Sequence, residues 1–322
     1  MKRSVRRIVF LALLGVLIFS LISACTKRVP QSSTVSGSNP TDCRVVEHAR
    51  GEACIPLNPQ RVVTLDFNSF ATALALDIKP IATWITTEIE DDFDYFKSKS
   101  NGIEILRSPT GQPNLETLVS LKPDLIIVIS HSSFEGVYKY LPAIAPTIIL
   151  SWQEIKGDWK QHIKDLARVF EKTEMATQLL DDYNQRINDL KEILNKKERI
   201  RTSFLYVATG QLTINRRESF AGDILADIGI LNPLFEETGN GDLVISEEVL
   251  PKIDSDVIFI ALLQKNDQAS IDRIQQNPLW PKLKATQQNQ VYFVDFSVWR
   301  GLNIFAAHAV IDDLYKYLVN RS

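Results

Sequence analysis

The stretch that most limits what this chain can fold into is Lys172 to Lys197, KTEMATQLLDDYNQRINDLKEILNKK. Its apolar residues, Ala176, Leu179, Leu180, Tyr183, Ile187, Leu190 and Leu194, recur at a helical period, with Asp181, Asn184, Arg186, Asn188 and Lys191 between them. The pattern predicts one helix with one buried stripe. Thr173 is the expected N-cap, Glu174 falls in the first turn, and Lys196, Lys197 and Arg199 suit the negative end of the helix dipole. Neither Gly nor Pro occurs between Asp158 and Thr209, and at 1.5 Å per residue the helix would run about 39 Å. A rod of that length can hold two lobes apart across a cleft. A surface helix of one large domain would carry the same pattern.

A chain of 322 residues, 45% hydrophobic and 23% charged, is long enough for two domains of ordinary folded composition. Its start, MKRSVRR, carries four basic residues and no acid, and the apolar run Ile8 to Ile22 follows, then Ser23-Ala24-Cys25. That order predicts a secretory signal over residues 1–24. LISAC resembles the bacterial lipobox, which implies removal of residues 1–24 and lipidation of Cys25. An uncleaved anchor helix is the alternative, and the apolar run is short for it. Either way the remainder is exported. Without the signal the chain holds 32 Lys+Arg against 39 Asp+Glu, because all four lost charges are basic, and this acidic balance argues against nucleic acid as a partner. Residues 25–42, rich in Ser, Pro, Asn and Gly, read as a flexible tether. Cys43 and Cys54 flank RVVEHARGEA, a hairpin expected to turn at Arg50-Gly51, and in an exported chain that arrangement favours a structural disulfide. A metal site with His48 lacks a fourth ligand.

Strand and helix alternate beyond the hairpin. RVVTLD (61–66), IKPIATW, IEIL, LIIVIS and PTIILSW read as strands; a helix capped by Asn68 or Ser69, the helix LETLVSL capped by Asn114, and a helix over FEGVYKYLPAIA lie between them. Residues 43–171 thus predict an α/β lobe with a doubly wound sheet. Residues 172–197 form the linking helix, and residues 198–322 form a second α/β lobe with strands RTSFLYVAT, LTINRR, DVIFIAL and QVYFVD and a last helix from Asn303 to about Val319. One internal comparison relates the halves. From Glu116, leucines fall at plus two and plus five, Asp124 at plus eight, and five apolar residues follow. From Glu248 the same places hold Leu250, Ile253 and Asp256, again with five apolar residues after them. The lobes look like copies, with Glu116 and Glu248 at equivalent points.

PQRVVTLD, QPNLETLVSLKPDLII, SFAGDILADIGILNP, ISEEVLPKIDSDVIFI and NPLWPKLKATQQNQVYFVD resemble the ferric-siderophore-binding proteins of bacterial ABC importers, from about Cys43 to the C-terminus. The resemblance implies a helical-backbone periplasmic binding protein: a lipid-anchored monomer of two doubly wound lobes joined by one long helix. Such a receptor has a shallow cleft and a small hinge motion, and delivers to a permease. It also implies that Glu116 and Glu248 pair with arginines of that permease. No cofactor is implied, since iron arrives as a chelate.

Ligands of open α/β sheets sit beyond the carboxyl ends of the strands, so the candidates are Trp84, Arg107, His131 and Trp152 in the first lobe and Tyr206, Arg216, Arg217, Trp299 and Arg300 in the second. Guanidinium groups and flat aromatic walls suit an anionic, partly apolar ferric chelate, of hydroxamate or citrate type rather than catecholate. Any single arginine taken alone is as well explained as solvated surface, and any single tryptophan as core. Haem or cobalamin is the nearer alternative, with Tyr206 or His131 as axial ligand. The four histidines are scattered, which counts against a bare-metal receptor. No G-x-S-x-G, P-loop or HExxH motif supports the more distant alternative of an exported hydrolase.

Overall fold

Two nearly continuous apolar runs make strands covered on both faces: Leu125–Ile129 and Val257–Leu262 are buried at every position. The computed structural model describes residues 43–85, 99–107, 111–131, 134–151, 158–196, 200–208, 210–230, 242–264 and 267–320. The signal, the tether and Cys25 lie outside the described residues.

Strands β1 (Cys43–His48) and β2 (Gly51–Pro56) form an antiparallel hairpin that turns at Ala49-Arg50 and is closed by the expected Cys43–Cys54 disulfide, Cα to Cα 5.6 Å. The first sheet takes β3 (Val62–Thr64), β4 (Ala82–Trp84), β5 (Glu104–Leu106), β6 (Leu125–Ile129) and β7 (Thr147–Leu150) in the order β5-β4-β3-β6-β7, all parallel. Its helices are α1 (Phe67–Ala75), α2 (Leu115–Leu121) and the short α3 (Glu135–Tyr138). After α4 (Trp159–Val169) and the long α5 (Thr173–Leu194) comes the second sheet. Its strands are β8 (Thr202–Ala208), β9 (Gln211–Asn215), β10 (Asp242–Val244), β11 (Val257–Leu262) and β12 (Val291–Asp295), in the order β10-β9-β8-β11-β12. Here β8, β11 and β12 are parallel, and β9 alone is reversed, pairing antiparallel with β8 on one side and β10 on the other. Helices α6 (Phe220–Ile228), α7 (Gln268–Gln276), α8 (Lys284–Gln287), α9 (Phe296–Trp299) and α10 (Ile304–Leu314) complete this half.

The internal repeat has a structural counterpart. β6 and β11 occupy the same place in their sheets, and Asp124 and Asp256 do the same work: each carboxylate accepts the backbone N–H of the arginine that leads into the central strand, Arg61 and Arg201, at 2.8 Å. The segment before β11 is a 3-10 stretch, Glu247–Ile253, rather than an α-helix, because Pro251 inside it cannot donate the helical hydrogen bond. FEGVYKYLPAIA likewise breaks into α3 and a 3-10 turn at Leu141–Ala143, with Pro142 in that turn.

Two expected caps are displaced. Asp66, not Asn68 or Ser69, caps α1: one oxygen accepts from Ser69 N (2.7 Å) and the other from Ile129 N (2.9 Å), tying the helix to the end of β6. Thr173 does not cap α5. Glu171 takes a left-handed φ of 54° to reverse the chain after α4, which leaves Lys172 in the cap position without a side-chain bond. At 22 residues α5 is about 33 Å long.

The buried stripe of α5 is as expected, with Ala176, Tyr183, Ile187, Leu190 and Leu194 buried and Leu179 and Leu180 half-buried. It does not stand between two separate cores. One apolar cluster joins Val62, Leu125, Ile127 and Ile148 of the first sheet to Phe204, Tyr206 and Phe259 of the second through residues of α1, α4, α5, α6 and α10. Each sheet covers its outer face with a cluster of its own. A polar knot closes the junction of α4, α5 and α6: Lys160 Nζ reaches Asp227 (2.6 Å) and Asp223 (3.0 Å), and the Tyr183 hydroxyl donates to Asp227 (2.7 Å). Burial pulls the Lys160 pKa down, but the two carboxylates outweigh it and the ammonium is held above its ordinary value.

Because Tyr183 is wholly buried and its donor is aimed at a carboxylate, Tyr183→Phe is expected to lower the unfolding free energy by about 1.5–3 kcal/mol in urea titrations while leaving helix content unchanged.

Candidate functional site

The parallel first sheet carries Trp84, Arg107 and His131 to its carboxyl edge, as their strand-end positions require. Their surroundings differ. Trp84 is 5% exposed and packs edge-on to Phe134 at 4.9 Å among Val63, Leu65 and Val128, a cluster on the face turned away from the shared core. Its indole N–H is buried without an acceptor. The expectation of a ligand wall is therefore corrected here: this indole is outer-face core. Arg107 is exposed just after β5. His131 is exposed two residues past β6, its backbone pinned by Tyr138, whose hydroxyl accepts from His131 N at 2.5 Å. Trp152 lies outside the described residues.

Arg50, at the tip of the disulfide hairpin, was not singled out by the sequence yet reaches this edge. Its guanidinium lies 4.5 Å above the Tyr138 ring and forms a two-pronged pair with Glu135, while Ala49 N donates to Ile149 O at 2.8 Å. Burial is the main cause that raises the Tyr138 pKa.

The second sheet gathers a tighter group. Because β9 and β10 are antiparallel, the register sets Tyr206 beside Thr213 and Asn215 beside Asp242, all on the face toward the shared core. Arg300 Nη1 reaches Asp242 Oδ2 at 2.5 Å, the Tyr206 hydroxyl donates to the same oxygen at 3.0 Å, and the Asn215 amide donates to Oδ1. The guanidinium stacks 4.7 Å above the Tyr206 ring and 6.0 Å from that of Phe296; its Nε is buried without an acceptor. Burial is the first cause that pushes the Tyr206 phenol up to about 12, with Arg300 opposing and Asp242 adding to the rise. A phenol so placed is a donor at neutral pH.

The tight Trp299–Asn303 corner sends its neighbours opposite ways. Trp299 is wholly buried, 4.5 Å from Phe259 and 4.9 Å from Phe204, and its Nε1 donates to Asp313 (2.8 Å). This corrects the expectation of a ligand contact, since the indole fills the core beneath the sheet. Arg300 turns out toward Tyr206. Gly301 makes the reversal possible: a Cβ there would stand 2.3 Å from Ala306 Cβ and 2.6 Å from the Ser297 carbonyl. Leu302 takes a left-handed φ of 48°, at a cost of about 1–2 kcal/mol.

Arg216 is half-buried and follows Asn215 directly, and Arg217 is exposed. The strand-end rule had put them at a carboxyl edge. In antiparallel β9 that end lies level with Phe204 rather than with Ala208. The Arg216 carbonyl accepts from Ser219 N (3.1 Å) and Ser219 Oγ (2.6 Å), fixing the turn into α6. Across the halves, the Lys99 ammonium lies 5.1 Å above Phe305, which belongs to α10 just past Arg300.

Glu116 and Glu248 are both exposed. Asn114 caps α2 by accepting from Glu116 N (2.9 Å), and Ser246 Oγ donates to Glu248 (2.8 Å). The adjacent Glu247 is anchored to Arg273 (3.0 Å) and Asn277 (2.9 Å). Among the described residues no three His, Cys, Asp or Glu converge as a metal site, and no helix is long and apolar enough to cross a membrane.

A family model described as periplasmic binding protein matches residues 62–298. The chain is 30% identical to the probable siderophore-binding lipoprotein YfiY of Bacillus subtilis, over 96% of this chain and 97% of that one. It is 29% identical to the Fe(3+)-citrate-binding protein YfmC of the same organism, over 97% and 98%. The structure of Staphylococcus aureus SirA complexed with staphyloferrin B superposes with a TM-score of 0.74 at 25% identity, covering 85% of this chain and 98% of that one.

Gly301→Ala is expected to lower stability by about 1–3 kcal/mol in urea titrations, because the added methyl meets backbone and an α10 side chain; retention of full stability would contradict the close approach.

Proposed function

Since this chain belongs to the periplasmic binding protein family, we propose that it is the extracytoplasmic receptor of an ABC importer, which captures a ferric siderophore or ferric citrate and hands it unchanged to the permease. The observation that carries this reading is the match of nearly the whole chain to siderophore- and citrate-binding proteins, together with a polar group around Arg300 on the inner face of the second sheet. Iron is cargo bound through its carrier. Arg300, Tyr206 and Asn215 supply donors for carrier oxygens, with Arg107 as a further cation, and this set fits carboxylate- or hydroxamate-bearing chelates. The receptor acts as a monomer held to the membrane by a lipid on Cys25, with residues 26–42 as the tether. Glu116 and Glu248, exposed before equivalent strands of the two sheets, present paired negative charges to the permease.

A haem receptor is the second reading. It is disfavoured by Tyr206, whose oxygen is engaged by Asp242 and whose pKa is pushed up, the reverse of what a phenolate ligand needs. The relatives are named as binding proteins, which favours the receptor reading over a hydrolase.

Calorimetric titration with ferric citrate, ferric hydroxamates, their iron-free forms and haem tests the proposal. The expected result is saturable binding of at least one iron-loaded carrier and weaker binding of its iron-free form. Binding of haem alone, or of no chelate, would contradict it.

A further inference from the structure

We infer that Asp242 sets the charge preference of this receptor by acting as the resident counter-ion of Arg300. The inference rests on the ferric-chelate reading above and goes beyond it by assigning what discriminates among chelates. Three donors converge on one carboxylate: Arg300 Nη1, the Tyr206 hydroxyl and the Asn215 amide. That is the donor set a carboxylate of a bound carrier would use, and Asp242 already fills it. The arrangement is built into the sheet, because the Tyr206–Thr213 and Asn215–Asp242 register pairs hold the carboxylate in front of the arginine.

The pair is placed to meet a ligand. Both side chains are partly open, 31% for Arg300 and 25% for Asp242, and the buried Arg300 Nε has no acceptor. With Asp242 charged the pair is neutral, so an anionic chelate must either replace the aspartate or approach beside it against its repulsion. A neutral chelate meets no such opposition. Loss of the Asp242 charge turns a neutral pair into a cationic site in which every donor is available to the carrier. A tie that merely fastened the short edge strand β10 would affect stability and all ligands alike.

The test measures affinities of the full chain, and of its Asp242→Asn and Arg300→Gln variants, for anionic ferric dicitrate and for a neutral ferric trihydroxamate. Asp242→Asn is expected to raise the ratio of anionic to neutral affinity by about tenfold or more, and Arg300→Gln to lower it by a similar factor. Thermal melting and circular dichroism check folding; should Asp242→Asn not fold, Asp242→Ser, which also removes the charge, decides by the same ratio. Changes that are equal for both chelates, or a ratio unmoved by removal of the Asp242 charge, would overturn the role of Asp242 and leave the receptor reading intact. A wild-type chain that bound neither chelate would contradict the receptor reading itself, and this assignment with it.

Discussion

Burial of one face of α5 is the constraint on which the other features depend. Tyr183, Ile187, Leu190 and Leu194 sit in a cluster that receives side chains from both sheets, so the helix is a shared wall rather than a free strut. Each such side chain contributes about 1.5–3 kcal/mol on removal from water. The Lys160, Asp223, Asp227 and Tyr183 knot adds direction to that packing, because hydrogen bonds fix the angle between α4, α5 and α6 where apolar contacts alone tolerate sliding. Such packing predicts a body whose halves move little relative to one another. Recognition in such a body rests on preorganised side chains rather than on closure.

The second sheet shows how that preorganisation arises. Its parallel centre copies the first sheet strand for strand, down to the aspartates that hold the starts of β3 and β8. Its far edge departs from the copy, because β9 runs against both β8 and β10. The reversal brings Asn215 and Asp242 against Tyr206, and the sharp corner at Gly301 delivers Arg300 to the same place. Symmetry accounts for the scaffold and its two surface glutamates, while the break in symmetry sets Asn215 and Asp242 in the polar group around Arg300.

Periodicity exposed what local physics determines. The α5 stripe, the fully apolar β6 and β11, the Asn114 cap and the Cys43–Cys54 hairpin were all legible, since each depends on residues close together in the chain. Arg300 and Tyr206 were candidates by their strand-end positions, and the fold brings the two together. Trp299 was misplaced because its neighbour points outward and a strand-end rule cannot tell which of two adjacent side chains turns in; the Gly301 approach and the Leu302 conformation decide it. Trp84 was misplaced because β4 presents it to the outer face, where Phe134 covers it. Asp242 and Asn215 were missed altogether. Their meeting depends on cross-strand register, which no linear spacing between residues 215 and 242 encodes. Arg50 was missed for a related reason: only the docking of the hairpin against β7 brings it to Tyr138 and Glu135.

The most direct measurement of the central claim, that a single core under α5 fixes the two halves, is the distance between nitroxide labels placed by Glu116→Cys and Glu248→Cys, read by pulsed electron resonance with and without ferric citrate. The account predicts one narrow distance distribution whose mean moves by no more than about 2 Å on binding. A broad or two-peaked distribution without ligand that collapses to a much shorter distance with it would show that the halves swing freely, and would contradict the account.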